Sequence, residues 1–357
     1  MFIPHFAWAR RNNIGLAVDQ NRGSRGKAEE VGVHYIPSAD SLDDLMFDLV
    51  KKLLEIGDEV LASRGLNREL RGISFTLTDP RARVSRSASR GRLFSALGEF
   101  CWYLAGSDNL EHVEYYIANY RSMVETGSGA YGPRLFGEEQ NAQVERVISQ
   151  LRLHPTTRQA LIQLFNLNDL DRHHDDVPCT STLQFFDRDG RIDLVVYMRS
   201  NDVFHGLPHD IFAFTMLQEI VARALDRELG SYTHMVGSLH LYEENADEAR
   251  AFIKEGALAR APMPSMPVGD PRDGIKHFMS HETALREGHG TSSAVDLADK
   301  DPEGYWRDLG DVLEAWNAYK TGDTSRLEAL RDQLANTFYG LYLSDKHFDA
   351  EAKFNAQ

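Results

Sequence analysis

At 357 residues the chain has room for one large domain with appendages or for two domains, and its formal net charge of −15 argues against broad, sequence-blind binding to nucleic-acid polymers. Hydrophobic residues make up 42% and charged residues 26%, the balance of a soluble globular protein, and no apolar run approaches the roughly 18–20 residues that a membrane span needs. Cys101 and Cys179 are the only cysteines, so no disulfide framework is expected and the cytoplasm is the natural compartment.

Residues 1 to about 40 mix Gly, Arg, Asn and Ser with short apolar pieces and show no period. Their basic pair, Arg10-Arg11, follows an apolar run, which is the wrong order for a secretory signal. Leu42, Leu45, Met46, Leu49, Leu53 and Leu54 form a stripe that predicts a helix from Asp40 to Ser63, capped by Asp40 or Ser41. Ile73 to Thr78 alternates like a strand and stops at Asp79-Pro80; Phe94 to Leu104 reads as a strongly apolar helix with one acid, Glu99. Gly127 to Arg134 holds three glycines and a proline, which predicts a loop that is either flexible or closely approached by another group. A helix is expected over Asn141–Leu153 and a short strand within Arg158–Asn166.

Thr180 to Phe186 and Ile192 to Met198 read as a hairpin turning at Asp187-Arg188-Asp189-Gly190. A helix over Ile211–Leu225 and a strand over Ser231–Tyr242 follow. Prolines, glycines and charges from Ala261 to about Gly290 predict an irregular connection, and Asp301–Tyr319 and Ser325–Tyr342 two amphipathic helices. The acidic and histidine-rich run Asp171–Asp176 lacks a metal-ligand spacing and reads as a solvated loop, so no metal is expected.

The chemistry concentrates at the hairpin. Cys179, behind Pro178 and ahead of Thr180-Ser181-Thr182, is a candidate nucleophile, and nearby arginines are expected to lower its pKa; Cys101 reads as a core residue. Arg199 stands at a strand-to-loop junction. Asp210 is either a cap for the helix at Ile211 or a group that reads a ligand. His240 and Tyr242 alternate on one strand and share a face.

Glu99-Phe100-Cys101-Trp102-Tyr103-Leu104-Ala105-Gly106, Tyr131-Gly132, Pro178-Cys179 with Gln184-Phe185, Arg199-Ser200 with Asp202-Val203-Phe204, Gly206-Leu207-Pro208 and His240-Leu241-Tyr242 together resemble the thymidylate synthase family. Order and approximate spacing agree from about residue 45 to 255. The resemblance implies an α+β fold whose mixed sheet packs against a second copy in a homodimer, with a small C-terminal helical appendage. Residues 1–40 are then an N-terminal extension, 41–260 the catalytic domain, and 261–357 the connection and C-terminal helices.

The same resemblance implies that Cys179 adds to carbon 6 of a pyrimidine nucleoside monophosphate. Carbon 5 then attacks a one-carbon unit from 5,10-methylenetetrahydrofolate. Arg199 and Ser200 match the holders of the 5′-phosphate, Arg158 an arginine reaching across the dimer, and Arg68 loosely a further phosphate arginine. Glu99 matches an acid that manages protons and water, Tyr131 an active-site tyrosine, and His240 with Tyr242 the contacts to the sugar. Gln184 and Asp202 fall within the matching pieces, Asn201 lies between two of them, and all three are expected to touch substrate.

The departures from the pattern bear on the substrate. Asp210 stands where synthases acting on uracil nucleotides carry asparagine. A carboxylate accepts from the N4 amino group of cytosine and, if protonated, donates to N3, so the chain resembles the cytidylate 5-hydroxymethylase branch acting on CMP or dCMP. Thymidylate synthesis from dUMP and a nucleotide-binding relative without activity are the alternatives. Thr180 replaces a histidine, Gln159 a second phosphate arginine, and His205 and His209 apolar residues of the folate pocket, while the short apolar C-terminal tail is not recognisable.

Overall fold

Leu42, Leu45, Met46, Leu49 and Leu53 fall on one stripe of a helix and are all buried. That helix, α1 (Leu42–Ile56), opens on Ser41, whose side chain accepts the Asp44 N–H. The computed structural model describes residues 37–62, 64–124, 127–137, 142–170, 176–289, 301 and 304–355.

The strands are β1 (Ser38–Ala39), β2 (Asp58–Ala62), β3 (Gly65–Leu77), β4 (Leu161–Gln163), β5 (Thr180–Arg188), β6 (Arg191–Asp202) and β7 (Glu228–Tyr242). They form one mixed sheet in the order β1-β3-β7-β6-β5-β4, with β2 paired to β3. β5 and β6 are the expected hairpin, and its turn places Asp189 at φ 50° and Gly190 at φ 75°. Consecutive left-handed residues match the twist of the paired strands. β6 and β7 are parallel, so α7 (Gly206–Ala224) must carry the chain back across the sheet.

α2 (Leu93–Leu104) lies against α7 and is buried from Leu93 through Tyr103, an all-round burial that its near-continuous apolar sequence allows. Burying each of its large side chains is worth about 1.5–3 kcal/mol. α3 (Leu110–Glu114), α4 (Tyr120–Met123), α5 (Tyr131–Phe136) and α6 (Gln143–Leu153) lead from there to β4, and α8 (Ala246–Glu255) and α9 (Arg272–Arg286) follow β7.

Several expected boundaries move. α1 stops at Gly57, where a Cβ atom would stand 2.6 Å from the Leu53 carbonyl oxygen, and the next five residues pair with β3 as β2 instead of continuing the helix. The glycine-rich stretch is a loop only as far as Ala130. α5 begins at Tyr131, and Gly132 is closely approached, since a Cβ there would meet Ser107 and the Trp102 carbonyl at 3.0 Å. The connection after residue 261 is irregular only to Pro271; α9 then buries Phe278 and Leu285, a stripe too thin to stand out among its charges. The C-terminal stretch breaks into Thr324–Leu334 and Gly340–Leu343, and an unexpected last helix spans Asp345–Phe354. That helix has a defined seat: the Glu351 carboxyl accepts the Phe94 and Ser95 N–H groups at the N-terminus of α2. The N-terminal residues 1–36 and most of the run Asp171–Asp176 lie outside the described residues. Among the described residues, no helix is long and apolar enough to cross a membrane, and no group of three or more potential ligands is placed to hold a metal ion.

Candidate active site

The start of β5, the ends of β6 and β7 and the first turns of α7 converge at one end of the sheet's central strands. The register makes this unavoidable: Thr180 pairs with Met198, Ser200 with Ser238 and Asp202 with His240. The Arg199 N–H donates to the Cys179 carbonyl at 2.8 Å, and the Arg199 guanidinium donates to the carbonyls of Pro178 (3.0 Å) and Val177 (2.7 Å). The arginine therefore wraps the backbone that presents the thiol.

Cys179 is half-buried, whereas Cys101 is fully buried in α2 as expected. The expectation of a lowered thiol pKa does not hold. Burial pushes the Cys179 thiol up; Arg199 and Arg64 pull it down by less, and Asp210 and Asp176 add to the rise. The free protein thus keeps this group as a thiol at neutral pH.

Asp210 is not a helix cap, because α7 begins four residues earlier, at Gly206. α7 has no side-chain cap; Asp202 closes the turn that leads into it, its Oδ1 accepting the N–H groups of Phe204 (2.7 Å) and His205 (3.1 Å). Asp210 instead lies inside the helix with its Oδ2 accepting from the Asn201 amide at 2.7 Å. Burial, and secondly the negative charge of Glu99, hold its carboxyl well above the usual range, and the Asn201 hydrogen bond opposes them only in part. Glu99 is raised too, chiefly by burial, although the hydroxyls of Tyr103 (2.9 Å) and Tyr120 (3.1 Å) both donate to its Oε1. Two buried carboxyl groups near each other favour the protonated form of at least one.

Tyr131 joins this group. Its hydroxyl oxygen accepts from the Thr180 N–H at 3.0 Å and from Thr180 Oγ1 at 2.9 Å, and Asp210 and Cys179 both lie near enough for their charges to raise its pKa. Tyr242, in edge contact with His240 at a ring separation of 5.0 Å, is within reach of the charges of Arg64, Asp202 and Cys179. Cys179, Glu99, Tyr131, Arg199, Asn201, Asp202, Asp210, His240 and Tyr242 are thus brought to one place. Ser200 is half-buried beside them on β6.

The other expected contacts lie elsewhere within this chain. Gln184 donates its amide to the Arg158 carbonyl at 2.8 Å, and the Arg158 residue is exposed on the approach to β4. Arg68 pairs with Glu59 at 3.1 Å and with Glu243 at 3.6 Å. The arginine whose charge reaches Cys179 and Tyr242 is Arg64, at the β2–β3 turn just before Gly65 with φ 125°. Arg-Gly at the turn between two strands was the available signal, hidden because residues 58–63 read as helix. His205 and His209 are also held inward. His209 joins the His205 carbonyl (3.0 Å) to Ser95 Oγ (3.1 Å), and burial lowers its pKa to about 4, so it adds no charge to the cleft near neutrality.

A half-buried thiol between arginines, facing two buried carboxyl groups, has the parts for nucleophilic addition to an anionic substrate followed by proton transfer. The relationship with known proteins agrees: residues 90–288, more than half of the chain, match the family model for thymidylate synthase. The chain belongs to the thymidylate synthase family, and membership indicates a folate-dependent one-carbon transferase that acts on a pyrimidine nucleotide.

Proposed function

We propose that the protein is a cytidylate 5-hydroxymethylase, transferring a one-carbon unit from 5,10-methylenetetrahydrofolate to carbon 5 of CMP or dCMP and completing the product with water. The observation that carries this reading is the environment of Asp210, a buried acid raised well above the usual range at the position that faces the base in the family. Its neutral form offers an acceptor and a donor side by side, and Asn201 marks Oδ2 as the acceptor. That pair complements the N4 amino donor and N3 acceptor of cytosine. The ionised form accepts from N4 as well, but meets only repulsion at O4 of uracil.

In this reading Arg199, Ser200 and Arg64 bind the 5′-phosphate, and His240 and Tyr242 the sugar. Arg158, exposed on its own subunit, reaches the phosphate of a second copy. The outer face of the sheet supports such a homodimer, because Tyr197 and Met235 remain 43% and 42% exposed on neighbouring strands. Binding of the nucleotide covers the thiol while the arginines stay close, and Cys179 adds as thiolate to carbon 6. Glu99, held by two tyrosine hydroxyls, moves protons and orders water. The half-buried rings of Tyr120 and Tyr131 beside the Glu99 carboxyl suit a flat reduced pterin with amide donors, so these residues fit the folate on the chemistry of the donor set. When bound, the folate supplies the one-carbon unit at the oxidation level of formaldehyde. We place the protein in the cytoplasm, with residues 41–260 as its catalytic domain and no nucleic-acid polymer as partner.

Incubation with methylenetetrahydrofolate and each of CMP, dCMP, UMP and dUMP, read by product mass, tests the proposal. A gain of CH₂O on a cytosine nucleotide with release of tetrahydrofolate is expected. A gain of CH₂ with formation of dihydrofolate overturns it in favour of a methylating synthase.

The arginine assignment has its own test. Arg64→Ala is expected to raise KM for the nucleotide about 10- to 100-fold, the loss of one charged hydrogen bond to phosphate. Arg68→Ala, removing a partly exposed pair, is expected to change it less than about 3-fold. Equal effects in steady-state kinetics count against the assignment.

A further inference from the structure

We infer that Thr180 is a positioning residue, which holds the Tyr131 hydroxyl as a hydrogen-bond donor toward the cleft between Cys179 and Asp210. The inference rests on the reading of that cleft as the nucleotide site. It concerns the residue that stands where the family pattern has histidine.

The argument is a count of protons. A phenol hydroxyl has one hydrogen to give and at most two acceptor positions. Thr180 fills both acceptor positions of Tyr131, with its backbone N–H at 3.0 Å and its Oγ1–H at 2.9 Å. The hydrogen of Tyr131 itself then has no acceptor among the described residues. Thr180 is fully buried, so no bulk water competes for its hydroxyl, and the β-bulge between Thr180 and Thr182 fixes its backbone. The Tyr131 ring is held between Tyr103, at a ring separation of 5.4 Å, and Phe214, at 6.1 Å. The ring cannot swing away, and rotation about its C–O bond is biased toward the one unfilled direction. Asp210 and Cys179 both lie close enough to this hydroxyl to act on it electrostatically.

The ligand feature this arrangement recognises is a hydrogen-bond acceptor on the bound pyrimidine, or a water that the pyrimidine holds. Tyr131 is thereby a fixed donor and not a base. A histidine at position 180 titrates and changes between donor and acceptor roles with its state; the Thr180 hydroxyl does not titrate, and in the observed geometry it gives its hydrogen to Tyr131. The consequence for the reaction is electrostatic. A donor aimed in advance at the place where electron density builds up costs no reorganisation when the thiolate adds.

The test is a double-mutant cycle in the full-length enzyme. Thr180→Val removes Oγ1–H at nearly constant shape, Thr180→Ser keeps it, and Tyr131→Phe removes the phenol. Thr180→Val is expected to lower kcat about 10- to 100-fold with KM changed less than about 3-fold, and Thr180→Ser to restore kcat to within about 3-fold of wild type. In the Tyr131→Phe background, Thr180→Val is expected to cost nothing further. Independent, additive losses in the cycle overturn the inference, as does an unchanged kcat in Thr180→Val. The assay uses whichever pyrimidine nucleotide the wild-type enzyme turns over, so an error about cytosine does not disturb it. Should the wild type turn over none of them, the ¹³Cζ resonance of Tyr131 in the ligand-free protein decides. It is expected to move in Thr180→Val and to stay in Thr180→Ser, and a resonance that stays in both overturns the inference.

Discussion

Asp210→Asn is expected to exchange the base preference, lowering kcat/KM for cytidylate relative to uridylate by on the order of 10⁴-fold, as expected when a site built to hydrogen-bond one group meets another. The Asn201 amide already donates to Asp210 Oδ2. An asparagine that keeps this contact must turn its carbonyl toward Asn201, which points its amide donors at the base. Donors suit the O4 acceptor of uracil and oppose the N4 amino group of cytosine. Competition between the two nucleotides, read as a ratio of product masses, measures the exchange; a ratio unchanged within about 3-fold removes Asp210 from base recognition.

The same substitution has a pH signature. Asp210 is raised above its unfolded value of about 3.9, so the folded protein favours the protonated carboxyl. Protonated Asp210 is fully present below the unfolded value, and its contribution to stability is lost as pH climbs from there through the raised folded value. With Asp210 in its donor role, kcat/KM for cytidylate falls through that same raised value. Asp210→Asn does not titrate. The variant is expected to lose that alkaline limb of the rate profile and to melt at a higher temperature than wild type in alkaline buffer. A wild-type-like alkaline limb in the variant assigns the titration to another group.

Cys179→Ala is expected to lower turnover by at least about 10⁴-fold, because no other described residue of the site carries a thiol. The same change is expected to abolish a covalent adduct with 5-fluorocytidylate, in which the C5–F bond blocks the proton loss that frees the enzyme. Intact-protein mass spectrometry reads that adduct directly. Cys101→Ala, in the middle of α2, is expected to keep the adduct and to lose only about 1 kcal/mol or so of stability for the small cavity it leaves. An adduct that survives in Cys179→Ala moves the covalent step to a different residue.

The parts of the molecule that local chemistry dictates were legible in the sequence. The leucine stripe of α1, the apolar run of α2 and the Asp189-Gly190 turn each specify their element with neighbours only a few residues away. So do Cys179 and Arg199, whose strands form one hairpin. What pairing across distance decides was not legible. Asp58–Ala62 has the composition of a helix and becomes a strand because β3 lies beside it, and with that error Arg64 was passed over for Arg68. The direction of the Cys179 shift was also out of reach, since neighbouring arginines can be guessed from sequence while the competing burial cannot. Glu351 shows the limit most clearly, a glutamate in an ordinary polar run that closes the end of a helix more than 250 residues earlier.

The bulge in β5 sets the tolerance of this region to change. Thr180 and Leu183 both face inward although two residues lie between them, because Ser181 and Thr182 together oppose a single step of β6. Side-chain replacements at Ser181 leave that arithmetic intact. Removing a single residue there erases the bulge and leaves Thr180 two positions from Leu183, still on the inner face. The residue that the bulge adds therefore shapes the bend and twist at the start of the strand, and its loss is expected to move the backbone that presents Cys179 while the residue after the cysteine stays inside.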